Sequence, residues 1–197
     1  LLVDGAVYTL TLSGVDFAGN QTEEMSVSGI TYDVTPPQFT QVSPTIGSFV
    51  NNRETGYTLS EDLSDGEVVW TRSGGASDPD SPHTIELTAD ELTSGPHEAF
   101  VLAKMIDLVS GATYMLTFSG SDLAGNDSDG AETGPISYDT VPPVFTTSGP
   151  KNSDWVNHTR VAYELSEALQ SGTVSWAPKD GGAPLIQSLS GVEFEAG

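Results

Sequence analysis

The sequence predicts an all-β protein made of antiparallel β-sandwiches repeated in tandem. The chain repeats itself at an interval of 106 residues, as the phrases SGVDFAGNQ and SGSDLAGND illustrate. Within each repeat, apolar residues alternate with polar ones at the two-residue period of strands. In addition, no segment offers a capped apolar stripe at the 3.6-residue period of a helix.

The repeat extends over most of the chain. Residues 2–72 align without a gap with residues 108–178, and the alignment then slips by four residues, which places SPHTIELTADEL opposite APLIQSLSGVEF. The slip falls in a segment rich in Gly, Pro and Asp, where a loop tolerates a deletion. A fixed internal period is typical of a tandem array. We therefore predict the C-terminal part of one repeat at 1–36, a complete repeat at 37–142, and the N-terminal part of a third repeat at 143–197.

About seven short strands fit the complete repeat, near residues 37–43, 54–60, 66–72, 83–88, 98–104, 112–120 and 134–139. Seven strands in about 106 residues, with Trp70 on the third, suggest an immunoglobulin-like or fibronectin III-like sandwich. The spacing Leu-x-x-Gly-x-x-Tyr, which ends at Tyr8 and again at Tyr114, is typical of a tyrosine corner at the start of the sixth strand. We expect the strand residues Trp70 and Trp176 to lie in the core rather than to form a sugar-binding platform.

Composition restricts the class of function. The chain has 28 acidic residues against six Lys and Arg, and its net charge is −22. Phosphate binding needs basic residues, so we expect no nucleic-acid partner. The acidity favours solvation and divalent cations instead. The chain has no cysteine, which excludes disulfides and thiolate metal sites.

Two further features concern location and context. No apolar run approaches the roughly 18 residues of a membrane helix, so we expect no membrane insertion in this segment. The sequence opens at Leu1 with neither an initiator Met nor a signal peptide, so we expect a piece of a longer chain.

Three recurring phrases carry a resemblance to a known family. Ser-Glu follows the second strand at 60–61 and 166–167, Asp-x-Ala-Gly-Asn follows the sixth strand at 16–20 and 122–126, and the linkers have the sequences YDVTPP and YDTVPP. In these features the chain resembles the bacterial immunoglobulin-like tandem repeats of large secreted adhesins and surface stalk proteins. The resemblance implies an extracellular, often calcium-stiffened array at the cell surface. The doubled proline departs from the single proline that is commoner in the family.

The positions of three acidic residues predict a metal site. In a seven-strand antiparallel sandwich, the second-to-third and sixth-to-seventh connections lie at the same end as the incoming linker. Glu61, Asp122 and Asp33 should therefore meet at the entry to the complete repeat. Glu61 and Asp122 continue the inward-facing rows of their strands, so their carboxylates repel one another at one partly desolvated rim. Ca²⁺, which takes roughly six to eight oxygen ligands, would relieve that repulsion.

The same hypothesis assigns further ligands. Asn126, or the carbonyls of its turn, would complete the coordination shell. Asp139 and Glu167 are predicted to form the matching half-site at the next junction, and Asp16 is predicted to be the remnant of the previous one.

Turn chemistry is the alternative explanation for these carboxylates. An Asp at such a turn accepts hydrogen bonds from nearby backbone N–H groups, with Gly125 and Asn126 supplying positive φ. Turn preferences do not explain the coincident Glu61, which favours the calcium interpretation. The acidic phrases at 77–80 and 127–130 are interpreted as solvated surface.

No motif indicates catalysis, and we predict that the protein is not an enzyme. His83, His97 and His158 are scattered, and the sequence contains no nucleophile elbow, phosphate loop or paired-His metal motif. Asn20, Asn126 and Asn157 each begin an Asn-x-Ser/Thr sequon. The first two belong to the Ala-Gly-Asn turns, so a turn role explains them without glycosylation.

We expect a non-catalytic extracellular array that serves as a calcium-stiffened spacer, stalk or filament segment of a surface adhesin. Its partners would be neighbouring repeats of the same chain or head-to-tail copies, with a surface receptor or a polysaccharide as the adhesion ligand. The alternative is a carbohydrate-binding module array of a secreted protein, which would need an exposed aromatic strip, whereas most aromatics here have inward parity. A passive acidic coat in a halophile would explain the charge but not its repeated placement.

The two partial repeats are expected to expose apolar faces. Residues 1–35 contain only the last two strands of a sandwich, and residues 144–197 contain only the first four or so. Together they supply most of one sandwich and lack the counterpart of about 96–106. A head-to-tail contact between chains would bury both faces and propagate as a filament. In a longer continuous chain, the same faces would meet neighbouring segments instead.

Overall fold

The computed structural model describes residues 1–102 and 106–196, and at residues 99–101 and 147 it describes the backbone only. The described chain is nearly all β, with several antiparallel sheets and no α-helix, as the alternation of apolar residues predicts. Two short 3₁₀ helices occupy Ala89–Leu92 and Gly191–Phe194. In the described part of the chain, no helix has the length and apolar character needed to cross a membrane.

The chain divides into two compact units, Leu1–Thr140 and a C-terminal unit that begins at Val141. The predicted boundary between residues 36 and 37 stays a prediction. The strands of the first unit are β1 (Ala6–Leu12), β2 (Met25–Tyr32), β3 (Phe39–Ser43), β4 (Phe49–Val50), β5 (Glu54–Leu59), β6 (Leu63–Gly75), β7 (His83–Glu86), β8 (Gly95–Val101), β9 (Ala112–Asp122) and β10 (Ala131–Tyr138). Those of the C-terminal unit are β11 (Phe145–Gly149), β12 (Ala162–Leu165), β13 (Thr173–Trp176) and β14 (Leu185–Ser188).

In the first unit, β1 and β2 form an antiparallel pair that we call the N-terminal hairpin. The remaining strands form a five-stranded sheet in the order β4-β10-β9-β6-β7 and a three-stranded sheet in the order β3-β5-β8. We call residues 37–142, which contain both sheets, the central repeat. Every pairing in these sheets is antiparallel except the short β4–β10 pair, which is parallel.

Each of the seven expected strands of the central repeat has a counterpart in the structure. β6 is longer than predicted, and β8 begins at Gly95, three residues earlier than predicted. The end of the predicted strand at 98–104 lies partly outside the described residues. β4 is an additional element, and its two residues are too few to produce an alternation signal.

The two sheets of the central repeat pack over one shared core. The ring centroid of Phe118 on β9 lies 5.9 Å from that of Tyr57 and 6.1 Å from that of Phe39, both on the three-stranded sheet. Trp70 lies in the core, as predicted, but Trp176 is only half-buried, and Trp155 in the C-terminal unit is fully exposed. Among the described residues, the apolar side chains of the five-stranded sheet that are 0% exposed are Val68, Trp70, Tyr114, Leu116, Phe118 and Ile136.

Both predicted tyrosine corners have the expected hydrogen bond. The hydroxyl of Tyr114 accepts a hydrogen bond from the backbone N–H of Val109 at 2.9 Å. The hydroxyl of Tyr8 accepts one from the N–H of Val3 at 2.7 Å. In each case the strand that contains the tyrosine is anchored to the segment just before it.

The C-terminal unit repeats the local geometry of the central repeat, including the four-residue slip. β11 pairs with β12 and β13 pairs with β14, both antiparallel. The hydroxyl of Tyr163 donates to the carbonyl of Glu193 at 2.8 Å, as the hydroxyl of Tyr57 donates to that of Glu91 at 2.7 Å. The Trp176–Leu185 register pair corresponds to Trp70–His83 in the central repeat. The slip therefore shortens the β13–β14 connection and preserves the pairing on both sides of it.

Candidate metal centre

Three of the predicted ligands meet at the entry to the central repeat. Asp33 follows β2 in the linker, Glu61 follows β5, and Asp122 ends β9. One carboxylate oxygen from each of the three lies within 4.8 Å of the others. Two ligands of one Ca²⁺ ion lie at most about 5 Å apart, since each is roughly 2.3–2.6 Å from the metal. We call Asp33, Glu61 and Asp122 the entry cluster.

Strand periodicity places two of these carboxylates. On β9 the buried row Leu116 and Phe118 continues through Gly120 to Asp122, which is 2% exposed. Glycine is needed within this row, because a Cβ at Gly120 would lie 2.6 Å from the carbonyl oxygen of Asp65 on β6. On β5, Leu59 is the last buried residue before Glu61. Both acidic residues therefore extend a core-facing row beyond its apolar part.

Asp122 also holds the turn that follows it. Its Oδ1 accepts hydrogen bonds from the backbone N–H groups of Ala124 at 2.7 Å and Asn126 at 2.9 Å, and its Oδ2 accepts one from Asn126 Nδ2 at 2.7 Å. Gly125, at φ +89°, allows the tight reversal. Burial alone would raise the pKa of Asp122, but the hydrogen bonds from Asn126 and the backbone outweigh burial and lower that pKa. The turn explanation therefore accounts fully for Asp122.

Asn126 joins this turn to the linker. Its Nδ2 donates both to Asp122 and, at 3.3 Å, to the backbone carbonyl of Asp33. The carboxylate of Asp33 in turn accepts the N–H of Thr35 at 3.0 Å. In this arrangement Asn126 presents its amide nitrogen to the cluster, and its predicted role as an oxygen ligand stays a prediction.

Glu61 differs from the other two members of the cluster. Its carboxylate accepts no hydrogen bond from any described residue, in contrast to the carboxylates of Asp33 and Asp122. Burial, followed by the negative charges of Asp33, Asp122 and Asp4, raises the pKa of Glu61. A carboxylate held where its ionised form is disfavoured indicates a site that a cation would relieve.

Asp4 is a fourth acidic residue near the cluster, and the sequence comparison did not identify it. Its Oδ1 accepts the N–H of Val34 at 2.9 Å, and its Oδ2 accepts the hydroxyl of Thr35 at 2.5 Å. The hydrogen bonds of Thr35 and Val34 lower the pKa of Asp4. The repeat conceals this residue, because its counterpart is Ser110. The predicted pairing of β1 with β2 could have indicated Asp4, because this pairing brings the start of the hairpin beside the linker.

The other predicted ligands stay predictions. Asp16 forms the same turn as Asp122: its Oδ1 accepts the N–H groups of Ala18 and Asn20, each at 2.8 Å. Asp139 accepts a hydrogen bond from the hydroxyl of Ser110 at 3.0 Å. Glu167 belongs to the C-terminal unit, whereas Asp139 belongs to the first unit.

The interpretation of residues 77–80 as solvated surface is wrong for Asp78, which is buried. The Oδ2 atom of Asp78 accepts the hydroxyl of Tyr114 at 2.6 Å and lies 2.7 Å from His83 Nε2. Burial would raise the pKa of Asp78, but the hydrogen bonds from Tyr114 and His83 outweigh it and lower that pKa. No repeated counterpart pointed to this network, because the four-residue slip removes the matching loop from the third repeat.

Two aromatic residues at equivalent positions are exposed, although most aromatics follow inward parity. Phe49 on β4 is 85% exposed, and Trp155, 106 residues later, is 100% exposed. Phe49 lines a shallow depression together with Pro44, Asn51 and Asn52.

We compared the chain with protein-family models, with curated proteins and with solved structures, and found no match in any of the three comparisons.

Proposed function

We propose that the chain is a non-catalytic array of immunoglobulin-like β-sandwich repeats, and that it serves as a calcium-stiffened spacer, stalk or filament segment of an extracellular surface adhesin. One observation carries the proposal: three carboxylates, one from the linker, one from the loop after β5 and one from the end of β9, converge within 4.8 Å. The partners would be neighbouring repeats or further copies, with a receptor or polysaccharide bound elsewhere in the full protein.

A cation at the entry cluster would couple the linker to the repeat that it precedes. Asp33 belongs to the linker, whereas Glu61 and Asp122 belong to the central repeat. An ion bound by all three would restrict the angle between the N-terminal hairpin and the central repeat. The doubled proline at 36–37 already limits the linker torsions.

Glu61 separates the calcium proposal from the turn explanation. Asp122 and Asp33 have hydrogen-bond donors within the fold, so turn chemistry explains their presence. Glu61 has none among the described residues, and its ionised form is opposed by burial and by three acidic neighbours. A metal ligand is the role that accounts for an acidic residue there.

The effect of the Glu61→Gln substitution on the melting temperature should reverse its sign when calcium is added. In chelator at neutral pH, the variant should melt higher than the wild type, because the ionised Glu61 disfavours the folded state. In about 10 mM Ca²⁺ the wild type should melt higher, since a ligand at 10–100 times a dissociation constant of about 10⁻⁴–10⁻³ M stabilises the folded state by about 1.4–2.7 kcal/mol. Differential scanning calorimetry measures the melting temperatures of the variant and the wild type under both conditions.

The pH dependence follows from the raised pKa of Glu61. A raised folded-state pKa makes the wild type lose stability as the pH rises through that pKa, and the loss is absent below the usual glutamate value of 4.5. The advantage of Glu61→Gln in chelator should therefore disappear below pH 4.5. Glu132→Gln, which removes an exposed charge on β10, is the matched control and should shift melting equally with and without calcium.

Two outcomes would contradict the proposal. One is a wild type that melts identically in calcium and in chelator, and the other is a Glu61→Gln variant that keeps the full calcium response. Solution scattering is an independent test, in which added calcium should increase the length of the particle. If sodium chloride at matched ionic strength produces the same lengthening, the acidity is a passive coat and not a binding site.

A carbohydrate-binding array is the second candidate, and the exposed Phe49 and Trp155 favour it. Single aromatic side chains at equivalent repeat positions would each supply one stacking surface. Titration of the chain with soluble polysaccharides distinguishes the two candidates, because a spacer binds none.

A further inference from the structure

The connection between β6 and β7 contains a buried carboxylate. In this connection, which we call the 76–82 loop, Ser77 and Asp80 are exposed, whereas the side chain of Asp78 is 1% exposed. Taking a carboxylate out of water costs free energy unless hydrogen bonds compensate for the lost hydration. The inward position of Asp78 therefore depends on the groups that bind its two oxygen atoms.

Three groups hold this carboxylate. Its Oδ2 atom accepts the hydroxyl of Tyr114 on β9 at 2.6 Å and lies 2.7 Å from Nε2 of His83 on β7. Its Oδ1 atom accepts the backbone N–H of Asp80 at 3.1 Å. In the described part of the chain, the hydrogen bonds of residues 77–80 all involve this carboxylate. The middle of the loop is therefore attached to the two strands through one ionised group.

The two ends of the loop are fixed without the Asp78 carboxylate. The guanidinium group of Arg72 donates to the carbonyls of Gly75 and Ala76, each at 2.6 Å. The backbone N–H of Arg72 donates to the hydroxyl of Ser81 at 2.7 Å. These contacts keep both ends of the loop beside the sheet whatever the charge on Asp78.

The pairing of the flanking strands does not need the full loop. The corresponding connection in the C-terminal unit is four residues shorter, since 13 residues separate Trp70 from His83 and nine separate Trp176 from Leu185. Trp176 nevertheless pairs with Leu185 as Trp70 pairs with His83. The middle of the loop can therefore leave the sheet as a local opening, without unfolding of the sandwich.

We propose that the 76–82 loop is an acid-released latch, which opens when Asp78 takes up a proton while the sandwich stays folded. A neutral carboxyl group is a weaker acceptor for the Tyr114 hydroxyl than a carboxylate is. An imidazole is positively charged in acid, and the side chain of His83 is only 8% exposed. His83 would then be a largely buried cation without the counter-charge of Asp78, which favours release towards water. The latch goes beyond the spacer role and requires no calcium.

The latch should open below pH 3.8, the usual pKa of an aspartate. Burial would raise the pKa of Asp78, but the hydrogen bonds from Tyr114 and His83 outweigh burial and lower that pKa. In the released loop the carboxyl group is exposed and titrates at its usual value. The closed state is therefore stabilised above pH 3.8 and loses this stabilisation as the pH falls through the lowered pKa.

The other titratable groups near this carboxylate come from the neighbouring elements. Arg72 of β6 binds the first part of the loop, and Tyr138 of β10 lies near enough to Tyr114 to interact with it electrostatically. Neither residue type titrates in acid. Asp80 is a second carboxylate of the loop and is exposed, so the experiment must separate its effect from that of Asp78.

An NMR titration of the isotope-labelled 197-residue chain without calcium tests the latch. The titration runs from about pH 6 to about pH 2, which includes the usual titration range of aspartate. The amide signals of residues 77–80 should move to the positions of disordered residues with a midpoint below pH 3.8. The carboxyl carbon of Asp78 should titrate with the same midpoint. The amide signals of Val68 and Phe118 in the core should keep their folded positions to lower pH.

Asp78→Asn removes the titrating group, so the signals of residues 77–80 should no longer move over this pH range. Asp80→Asn removes the exposed carboxylate of the same loop and is the matched control, which should keep the wild-type transition. If Asp78→Asn does not fold, the shared midpoint in the wild type decides alone. The proposal is overturned if the loop signals stay in place, if they move only together with the core signals, if they move while Asp78 is still ionised, or if Asp80→Asn abolishes the transition. The entry cluster takes no part, so failure here leaves the calcium proposal untouched.

Discussion

Tyr114 connects three parts of the central repeat through one hydroxyl group. The ring is fully buried beside Trp70, with centroids 6.0 Å apart. The oxygen accepts the N–H of Val109 and donates to Asp78 Oδ2. Burial, together with the carboxylate of Asp78, raises the pKa of Tyr114 to about 12, so the hydroxyl keeps its proton at neutral pH and remains a donor.

Replacement of Tyr114 by Phe should destabilise the central repeat by about 1–3 kcal/mol, because it leaves the buried Asp78 and the Val109 N–H without one partner each. Urea denaturation followed by tryptophan fluorescence measures the loss. Tyr8→Phe is the matched control, since the corner of the N-terminal hairpin is solvent-exposed, and it should change stability by about 0.5 kcal/mol or less. Equal effects of the two substitutions would show that the Asp78 network contributes nothing.

At this scale the sequence identified residues that occur at matching positions in two repeats, and it missed those that do not. Glu61, Asp122 and both corner tyrosines recur at the 106-residue offset. Asp4 is a serine in the next repeat, and Asp78 lies in the loop that the slip shortens. Burial of an Asp in a Pro-rich loop depends on a tyrosine 36 residues away, and no local pattern encodes that distance.

The linker between β2 and β3 is held at several points without any metal. Asp4 holds Val34 and Thr35 from the side of the N-terminal hairpin. On the other side, the hydroxyl of Ser60 accepts the N–H of Gln38 at 2.9 Å, and Ser166 makes the same contact with Val144 at the next linker. The serine of each Ser-Glu phrase therefore fixes the start of its repeat.

Asp4→Ala should loosen this linker while both flanking elements stay folded. It removes the acceptor of the Val34 amide, so hydrogen exchange at Val34 should accelerate in chelator, and only linker signals should change in an NMR spectrum. Glu24→Ala removes an exposed charge from the same hairpin and should leave that exchange rate unchanged. Retention of the wild-type rate in Asp4→Ala would mean that these hydrogen bonds do not hold the linker.

At the scale of elements, alternation located the strands well because half-buried strands expose one face to water. The buried positions of β9 follow the predicted parity from Tyr114 to Asp122. The predicted strand ends were less accurate. For example, β6 continues through a bulge near Arg72, which the alternation of apolar residues does not reveal. β4 was missed because its pairing with β10 depends on chain reversal around Gly47, which has φ +78°.

At the scale of the whole molecule, the repeat was more informative than composition. The acidic composition led us to expect no nucleic-acid partner, but it did not distinguish a cation site from an acidic coat. The 106-residue offset assigned counterparts to the strands of the hairpin and of the C-terminal unit, and the hydrogen bonds shared by those counterparts agree with it. How the repeats sit relative to one another depends on linker torsions, which a sequence period does not specify.

The parallel pairing of β4 with β10 determines how the central repeat would respond to tension along the chain. These strands lie near the first and last positions of the repeat, and the N–H groups of Ser137 and Asp139 each donate to β4 or its flank at 2.9 Å. Because β4 and β10 run in the same direction, a force that pulls the two ends of the central repeat apart loads these hydrogen bonds together in shear. The antiparallel N-terminal hairpin would instead unzip one hydrogen bond at a time. Ser137→Pro removes one of the donors and should lower the unfolding force in single-molecule pulling, a quantity governed by the unfolding rate; an unchanged force would place the resistance elsewhere. A chain built in this way would stretch first at its linkers and only later within its repeats.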